Sequence, residues 1–271
     1  MKIGVLKEIV AGESRVAATA ETVKKMTALN HSVLIETDAG IQASISNEDY
    51  KNHGGEIVSR DLVLQSDLLL MVRPPDEKEI IKLTSKQFMV GMLEPFNNAL
   101  QMLLKKQGVS AFALEALPRN TRAQSMDVLS SQANIAGYKA VILASDYYKK
   151  FMPMLMTAAG TVKAAKVIVL GAGVAGLQAV ATAKRLGAVV EASDVRPSVQ
   201  EQIESLGGKF IEVPYETEEE KECAIGTGGY AKPMPKSWLA RQSKIVAEKA
   251  ITADIIITSA LIPGREPPQL L

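Results

Sequence analysis

The sequence predicts an α/β protein with two domains, each built on a parallel sheet that helices cover. Short runs rich in Val, Ile and Leu alternate with longer helical patterns along the chain, as expected when helices connect parallel strands. The alternation stops once, over roughly 123–150, and then resumes. A length of 271 residues also suits two domains better than one.

Five apolar runs predict the strands of a first domain over 1–125. Segments with helical spacing separate these runs and end at Asn or Gly, which suit the C-terminal cap of a helix. The predicted strands cover 1–6, 31–36, 67–72, 88–93 and 109–114.

The strand-free stretch predicts one helix, over 126–150, that connects this domain to a second one over 151–271. Four further apolar runs predict strands at 166–170, 188–193, 209–213 and 254–259. A complete dinucleotide-binding fold of this type has six strands. We therefore expect a fragment whose second domain is truncated at its C-terminus; the alternative is that the last strands come from elsewhere.

Composition excludes several classes of function. Basic and acidic residues nearly balance, at 31 and 30, so the chain lacks the positive field of a nucleic-acid-binding protein. With Cys223 as the only cysteine and only two histidines, an intrachain disulfide, a Cys-based zinc site and a His-rich metal site are excluded. We expect no metal, no nucleic acid, no direct membrane insertion and a reducing compartment.

The strongest functional signal is the glycine-rich turn GAGVAG at 171–176. It follows an apolar β-branched run and opens a helical pattern, the context that makes this fingerprint specific for dinucleotides. Gly171 permits the tight turn, Gly173 lets the backbone approach a pyrophosphate, and Gly176 allows close packing of helix on strand. The alternative is a glycine-rich turn in an ordinary strand–helix–strand unit.

An acidic residue stands where the adenosine ribose would bind. Asp194 ends the next predicted strand, near the ~20-residue spacing at which a carboxylate accepts the ribose 2′-OH of NAD. Arg196 lies two residues further on and could receive the 2′-phosphate of NADP, or be solvated or stack on adenine. The carboxylate favours NAD over NADP.

Longer motifs connect this chain with a known family. Residues 122–138 read RAQSMDVLSSQANIAGY, and 7–17 read KEIVAGESRVA. With the glycine-rich turn, they closely resemble the NAD(H)-binding domain of the proton-translocating NAD(P) transhydrogenase family, in the alpha-subunit region. The 7–17 pattern is shared with the related alanine dehydrogenases. The resemblance spans essentially the whole chain and implies two Rossmann-like domains.

The resemblance implies an oxidoreductase reaction divided between domains. NAD(H) binds to this chain, NADP(H) binds to a partner domain, and hydride passes directly between the two nicotinamides. A membrane domain couples the transfer to proton movement. It also implies a homodimer that is cytoplasmic and peripheral on the inner face of the cell membrane, or on the matrix side of a mitochondrion.

Site residues follow from the resemblance, position by position. Gln124 contacts the nicotinamide carboxamide, and Arg119, Asp127 and Ser130 complete that polar cluster. The spacing of Gln124, Asp127 and Ser131 is also that of one helical face. The alternative is an ordinary polar helix start in which Thr121 or Asp127 is the cap. The other implied NAD contacts are Ala172, Gly173 and Val174, then Asp194, Val195 and Arg196, and finally Gly229, Gln242 and Leu261.

Residues 214–236 predict a long loop because they combine an acidic run, glycines and prolines without periodicity. In the family the matching loop is mobile and closes over nucleotide, with the tyrosine that matches Tyr230 as its prominent side chain. A solvated surface insertion is the alternative. Cys223, in this loop, is interpreted as incidental.

Two other functions remain open. Alanine dehydrogenase would use Arg15 for its substrate carboxylate, but Arg73 replaces the required lysine, and GMLEPFNN at 91–98 lacks the required histidine. Because arginine stays protonated, that chemistry lacks its proton relay. A non-catalytic NAD-binding module is the second alternative function. The Tyr-, Phe- and Met-rich segment 147–156 fits either a dimer interface or interdomain core.

Overall fold

The computed structural model describes residues 1–118, 120–225 and 232–260, and it divides the chain into two compact units, Met1–Val128 and Leu129–Leu271. Each unit is an α/β structure with a parallel sheet, as the sequence predicts. The assignment of 1–125, 126–150 and 151–271 as two domains and a connecting helix stays a prediction.

A six-stranded sheet in the order β3-β2-β1-β4-β5-β6 forms the first unit, and every neighbouring pair is parallel. This is the strand order of a doubly wound dinucleotide-binding fold. All five predicted strands are present. The strands are β1 Lys2–Val5, β2 Ser32–Glu36, β3 Gly55–Val58, β4 Leu68–Leu70, β5 Phe88–Gly91 and β6 Ser110–Ala113.

Strand β3, which pairs with β2 at the edge of the sheet, was not predicted from the sequence. Its sequence, GEIV, begins with a glycine and a glutamate, so it shows no apolar run. Gly55 is buried against Tyr50, whose hydroxyl donates to the carbonyl of Ala18 over 2.8 Å. The packing of Gly55 against Tyr50, and not an apolar sequence pattern, therefore marks the position of this strand.

Five helices connect the strands of the first unit, and polar side chains cap several of them. Thr19 caps the first helix, and the Ser46 and Asp49 side chains form a reciprocal capping box at the second. The helices are α1 Ala20–Ala28, α2 Asn47–Asn52, α3 Arg60–Val63, α4 Glu77–Ile80 and α5 Asn98–Gln107.

Over 129–225 and 232–260, the second unit has a four-stranded parallel sheet in the order β11-β10-β9-β12 and a separate antiparallel hairpin. The four predicted strands are present, although β11 has only two residues. The hairpin was not predicted. The strands are β7 Leu155–Thr157, β8 Gly160–Val162, β9 Lys166–Leu170, β10 Val189–Ser193, β11 Lys209–Phe210 and β12 Ile255–Thr258.

Five helices complete the described part of the chain: α6 Val128–Tyr148, α7 Val174–Arg185, α8 Gln200–Ser205, α9 Glu218–Ile225 and α10 Lys236–Ala250. In α7, Ala179 and Ala183 are fully buried and pack with Val167 and Val169 of β9. These small residues let the helix lie close to the sheet, which fixes where its N-terminus lies.

Within 1–118, 120–225 and 232–260, no helix is long and apolar enough to cross a bilayer. Over the same ranges, no group of three or more His, Cys, Asp or Glu side chains is placed to hold a metal ion.

Candidate functional site

The glycine-rich turn joins β9 to α7 at the carboxyl end of the sheet. Gly171 has a φ of +91°, which favours glycine, and its N–H donates to the carbonyl of Ser193 over 2.8 Å. The Ser259 hydroxyl donates to the Gly171 carbonyl, also over 2.8 Å. The ends of β10 and β12 therefore fix the turn from both sides.

The three glycines of the turn differ in what surrounds them. A Cβ on Gly176 would lie 2.8 Å from the carbonyl carbon of Gly171 and closer still to its oxygen, so packing alone requires glycine there. A Cβ on Gly173 would meet nothing within 4 Å. Gly173 is also the N-cap of α7 and supplies no side-chain cap to its first N–H groups. The turn therefore leaves open space beside donors that suit an anion such as a pyrophosphate.

Asp194 lies directly beside this turn, where its side chain is nearly buried. Its Oδ2 accepts from the Ala172 N–H over 2.7 Å, which connects the predicted ribose carboxylate to the turn. Arg196 donates to the same carboxylate from its backbone N–H, its Nε and its Nη2, each over 2.9 Å. These four bonds use the usual acceptor positions of a carboxylate. A ribose hydroxyl would therefore replace contacts that Arg196 makes.

A cavity of about 190 Å³ adjoins Asp194. Tyr215 and Trp238 line it with stacked rings, 6.0 Å between centroids and 13° between planes, and Phe210 lines it as well. The Trp238 indole N–H is buried and has no hydrogen-bond partner within the described ranges. A flat aromatic wall beside a carboxylate suits a heterocyclic base.

Neither of these stacked aromatic residues was predicted from the sequence. Tyr215 also fixes Val195, because its hydroxyl donates to the Val195 carbonyl over 2.9 Å. Burial, with the charges of Asp194 and Glu212, raises the pKa of Tyr215, so the hydroxyl stays a donor. The sequence feature that could have indicated this pair is that Trp238 is the only tryptophan of the chain.

The predicted long loop is partly wrong, because the acidic run forms α9. Glu220 is 1% exposed and accepts from Arg241 over 2.5 Å, from Ser237 over 3.1 Å and from the N–H of Glu216 over 2.7 Å. Burial alone would raise the pKa of Glu220, but these hydrogen bonds outweigh it and lower the pKa. α9 is thereby fixed to α10, in which Gln242 is buried. Gly229, Tyr230 and Leu261 lie outside the described residues.

The predicted nicotinamide cluster does not share one helical face. Gln124 begins a short 3-10 turn that ends at Met126, Asp127 has a ψ of 83°, and α6 starts only at Val128. The non-helical backbone at Asp127 therefore makes the expected helical face of Gln124, Asp127 and Ser131 wrong. Ser130 lies in the first turn of α6, and Arg119 lies outside the described residues. The roles of all four stay predictions.

Charged side chains from the 7–17 motif meet Arg73 in the first unit. Glu13 accepts from Arg15 Nε over 2.7 Å and Nη2 over 2.5 Å, and from Arg73 Nε over 3.4 Å. The hydrogen bonds from Arg15 lower the pKa of Glu13 to about 2. Arg15, the candidate for binding a substrate carboxylate, is thus directed at a carboxylate of the chain itself, and so is Arg73.

We expect Glu13→Gln to destabilise the protein by about 2 kcal/mol at pH 7, because it removes charged hydrogen bonds from a side chain that is 8% exposed. The folded pKa lies below the ordinary value of 4.5, so this contribution is complete above that pH and lost as pH falls toward 2. Urea unfolding at pH 7, 4.5 and 3 checks this. A difference between the two proteins that does not shrink at pH 3 would contradict it.

Comparison with known proteins identifies the family. Sequence models of the alanine dehydrogenase/PNT N-terminal and C-terminal domains match residues 4–136 and 140–271. The chain is 45% identical over 280 residues to the first part of NAD(P) transhydrogenase subunit alpha of Rhodospirillum rubrum, covering 100% of this chain and 72% of that one. It spans 52% of two longer transhydrogenase alpha subunits that it also matches, from Cereibacter sphaeroides and Haemophilus influenzae.

Two solved structures are similar over the whole chain. A transhydrogenase from Sinorhizobium meliloti matches with a TM-score of 0.86 and 42% identity, and 73% of it is covered. An L-alanine dehydrogenase matches with a TM-score of 0.77 and 26% identity, and 69% of it is covered. With both domain models matched in order, the chain belongs to the alanine dehydrogenase/PNT family.

Proposed function

We propose that this chain is the NAD(H)-binding component of a proton-translocating NAD(P) transhydrogenase. It presents NADH to NADP⁺ held by a partner domain, and a membrane domain couples the reaction to proton translocation. The observation that supports nucleotide binding is the glycine-rich turn. It is open beside Gly173, and the N–H of Ala172 in the turn donates to Asp194. The identity to transhydrogenase alpha subunits supports the reaction.

The reaction needs no proton relay from the protein. A hydride leaves the dihydronicotinamide of NADH and joins the nicotinamide of NADP⁺, so one is oxidised as the other is reduced. The residues of this chain bind, orient and exclude water. We assign the pyrophosphate to the turn at 171–176, the ribose to Asp194 and Val195, and the base to the cavity of Tyr215 and Trp238. Gln124, Arg119, Asp127 and Ser130 are proposed to hold the nicotinamide.

Alanine dehydrogenase activity is the second candidate, because the chain belongs to a family that includes it. The contacts of Glu13 with Arg15 and Arg73 count against it, since a substrate carboxylate would have to displace an ion pair whose Glu13 pKa is only about 2. A non-catalytic NAD-binding module is the third.

One experiment separates the three candidates. The chain is titrated with NADH and NADPH, and then assayed with a separately produced NADP-binding partner domain and an NADP⁺ analogue whose reduced form absorbs at its own wavelength. Reduction of the analogue only with both proteins present supports the proposal. NADH oxidation by pyruvate plus ammonia without the partner indicates alanine dehydrogenase. NADH binding without either turnover indicates a binding module.

Asp194→Ala is expected to narrow the difference between NADH and NADPH affinity at least tenfold. The substitution removes a ribose acceptor and a charge that repels a 2′-phosphate, and it releases the Arg196 contacts with that carboxylate. Fluorescence titration with both nucleotides measures the ratio. Asp194→Asn, which keeps the shape without the charge, is the control. An unchanged ratio in both variants removes Asp194 from the ribose site.

We also propose a homodimer, located in the cytoplasm against the inner membrane face or on the matrix side in a eukaryote. Segment 147–156 supports the dimer, because the side chains of Tyr147 and Met156 are 79% and 71% exposed. Met152 is buried, which is what the alternative of an interdomain core requires. The aromatic and Met side chains suit an interface.

Replacing Tyr147 and Met156 together by Ser and Gln is expected to weaken the dimer at least tenfold, because both would lose apolar contact area. Sedimentation equilibrium at micromolar concentration measures the association. Lys150→Ser, which removes a charged side chain from the same segment, is the control. A parent chain that sediments as a monomer would contradict the dimer for this chain.

A further inference from the structure

Helix α6 presents one inward face along its length. Gly137 and Val141 are buried, and Ala140 and Ala144 pack against the same core as Val141. That core also contains Ala179 and Val180 of α7, so α6 and the helix that follows the glycine-rich turn bury side chains in the same core. Ser130, half-buried, lies on this face as well, because a step of seven residues returns to the same side of a helix.

Gly137 lies against the backbone of the first turn of α7. A Cβ at Gly137 would lie 2.9 Å from the carbonyl carbon of Ala175 and closer still to its oxygen. Ala175 is the second residue of α7 and precedes Gly176, the last glycine of the turn. Because the atoms in the way are backbone, a side chain at 137 could be accommodated only if α6 or the start of α7 moved.

This contact connects the two ends of the proposed site. Ser130 precedes Gly137 by two helical turns, about 10 Å along the axis. α6 therefore holds Ser130, which we assign to the nicotinamide end, at a fixed distance from the turn that we assign to the pyrophosphate. We infer that Gly137 is a positioning residue, whose missing side chain sets where the pyrophosphate-binding turn lies relative to the start of α6. This inference rests on the proposed function.

A purely structural role makes a different prediction. If Gly137 only permitted close packing, Gly137→Ala would lower stability and leave the preference among ligands unchanged. If it sets the position of the turn, the variant loses affinity for ligands with a pyrophosphate and keeps it for adenosine, which the aromatic cavity holds. The ratio of ADP to adenosine affinity therefore distinguishes the two roles.

The experiment compares the full chain with Gly137→Ala and with a matched control, Gly208→Ala. A Cβ at Gly208 would also be crowded, 3.0 Å from side-chain atoms of Ile203 and Val180, but none of its nearest atoms belongs to the turn at 171–176. Affinities for adenosine, ADP and NADH are measured by titration calorimetry or ligand-observed NMR, with the melting temperature alongside.

We expect Gly137→Ala to lower ADP and NADH affinity at least tenfold, with adenosine affinity within about twofold of the parent. Gly208→Ala should lower the melting temperature and leave the ADP-to-adenosine ratio unchanged. An unchanged ratio in Gly137→Ala, or an equal loss for adenosine, overturns the inference. A parent chain that does not bind NADH contradicts the proposed function itself.

Hydrogen exchange in the parent chain decides the matter if Gly137→Ala does not fold. Binding of ADP should slow exchange of amides near Gly137 together with those of 171–176, and adenosine should slow neither. Protection confined to 171–176 would overturn the inference, because the contact between Gly137 and Ala175 would then not couple α6 to the turn.

Discussion

Gly173→Asp is expected to abolish measurable NADH binding, a loss of at least a hundredfold, while the melting temperature stays the same or rises by about 1 °C. A Cβ at Gly173 meets nothing within 4 Å, and its φ of −73° is open to any residue. Aspartate is moreover a slightly better N-cap than glycine, so it should stabilise α7 by a few tenths of a kcal/mol. The same carboxylate would occupy the approach to the helix N-terminus and repel a pyrophosphate.

Opposite signs for stability and binding make this prediction specific. Gly173→Asn caps the helix equally well without the charge, so it isolates the electrostatic part, and Gly173→Ala isolates the steric part. NADH fluorescence titration and thermal unfolding of all three variants give the two readouts. If Gly173→Asp binds NADH within threefold of the parent, the open side of the turn is not where a pyrophosphate lies.

Local patterns were enough to predict the sheets and the turn. Each strand of the two parallel sheets that carries an apolar run is predicted, because a short run of apolar and β-branched residues is typical of a strand whether one face or both are buried. The turn was found because its residues, its strand and its helix are contiguous. The roles proposed for Gly173 and Gly176, close approach of a pyrophosphate and close packing of helix on strand, therefore follow from the local sequence alone.

Features that depend on distant residues were missed or misread. The sequence of α9, EEEKECAI, has no apolar period and so predicts a loop. Its buried Glu220 is stabilised mainly through Arg241 and Ser237, which lie about twenty residues further along the chain. Tyr215 and Trp238 are remote in sequence from the turn and reach the cavity through tertiary packing. The face expected for Gln124 and Asp127 was wrong because spacing does not reveal a non-helical backbone angle at Asp127.

Gly176→Ala is expected to produce the largest loss of stability in the turn, about 3 kcal/mol or more. The added Cβ would lie 2.8 Å from the carbonyl carbon of Gly171, closer still to its oxygen, and 3.0 Å from the Ser259 hydroxyl. That hydroxyl donates to the same carbonyl, so the substitution separates α7 from β9 and disturbs a hydrogen bond at once. Overpacking against backbone costs this much because no rotamer relieves it.

The loss at Gly176 should appear in thermal unfolding as a fall of several degrees, since about 1 kcal/mol corresponds to about 2–4 °C in proteins of this size class. Gly173→Ala, in the same turn and facing open space, should change the melting temperature by less than about 2 °C. NADH affinity should fall in Gly176→Ala even where the protein is fully folded, because Ala172 and Asp194 move with the turn. Equal melting temperatures for the two variants would contradict this prediction, because they would mean that α7 can shift away from β9 at little cost. The close approach of helix and strand would then not explain why residue 176 is glycine.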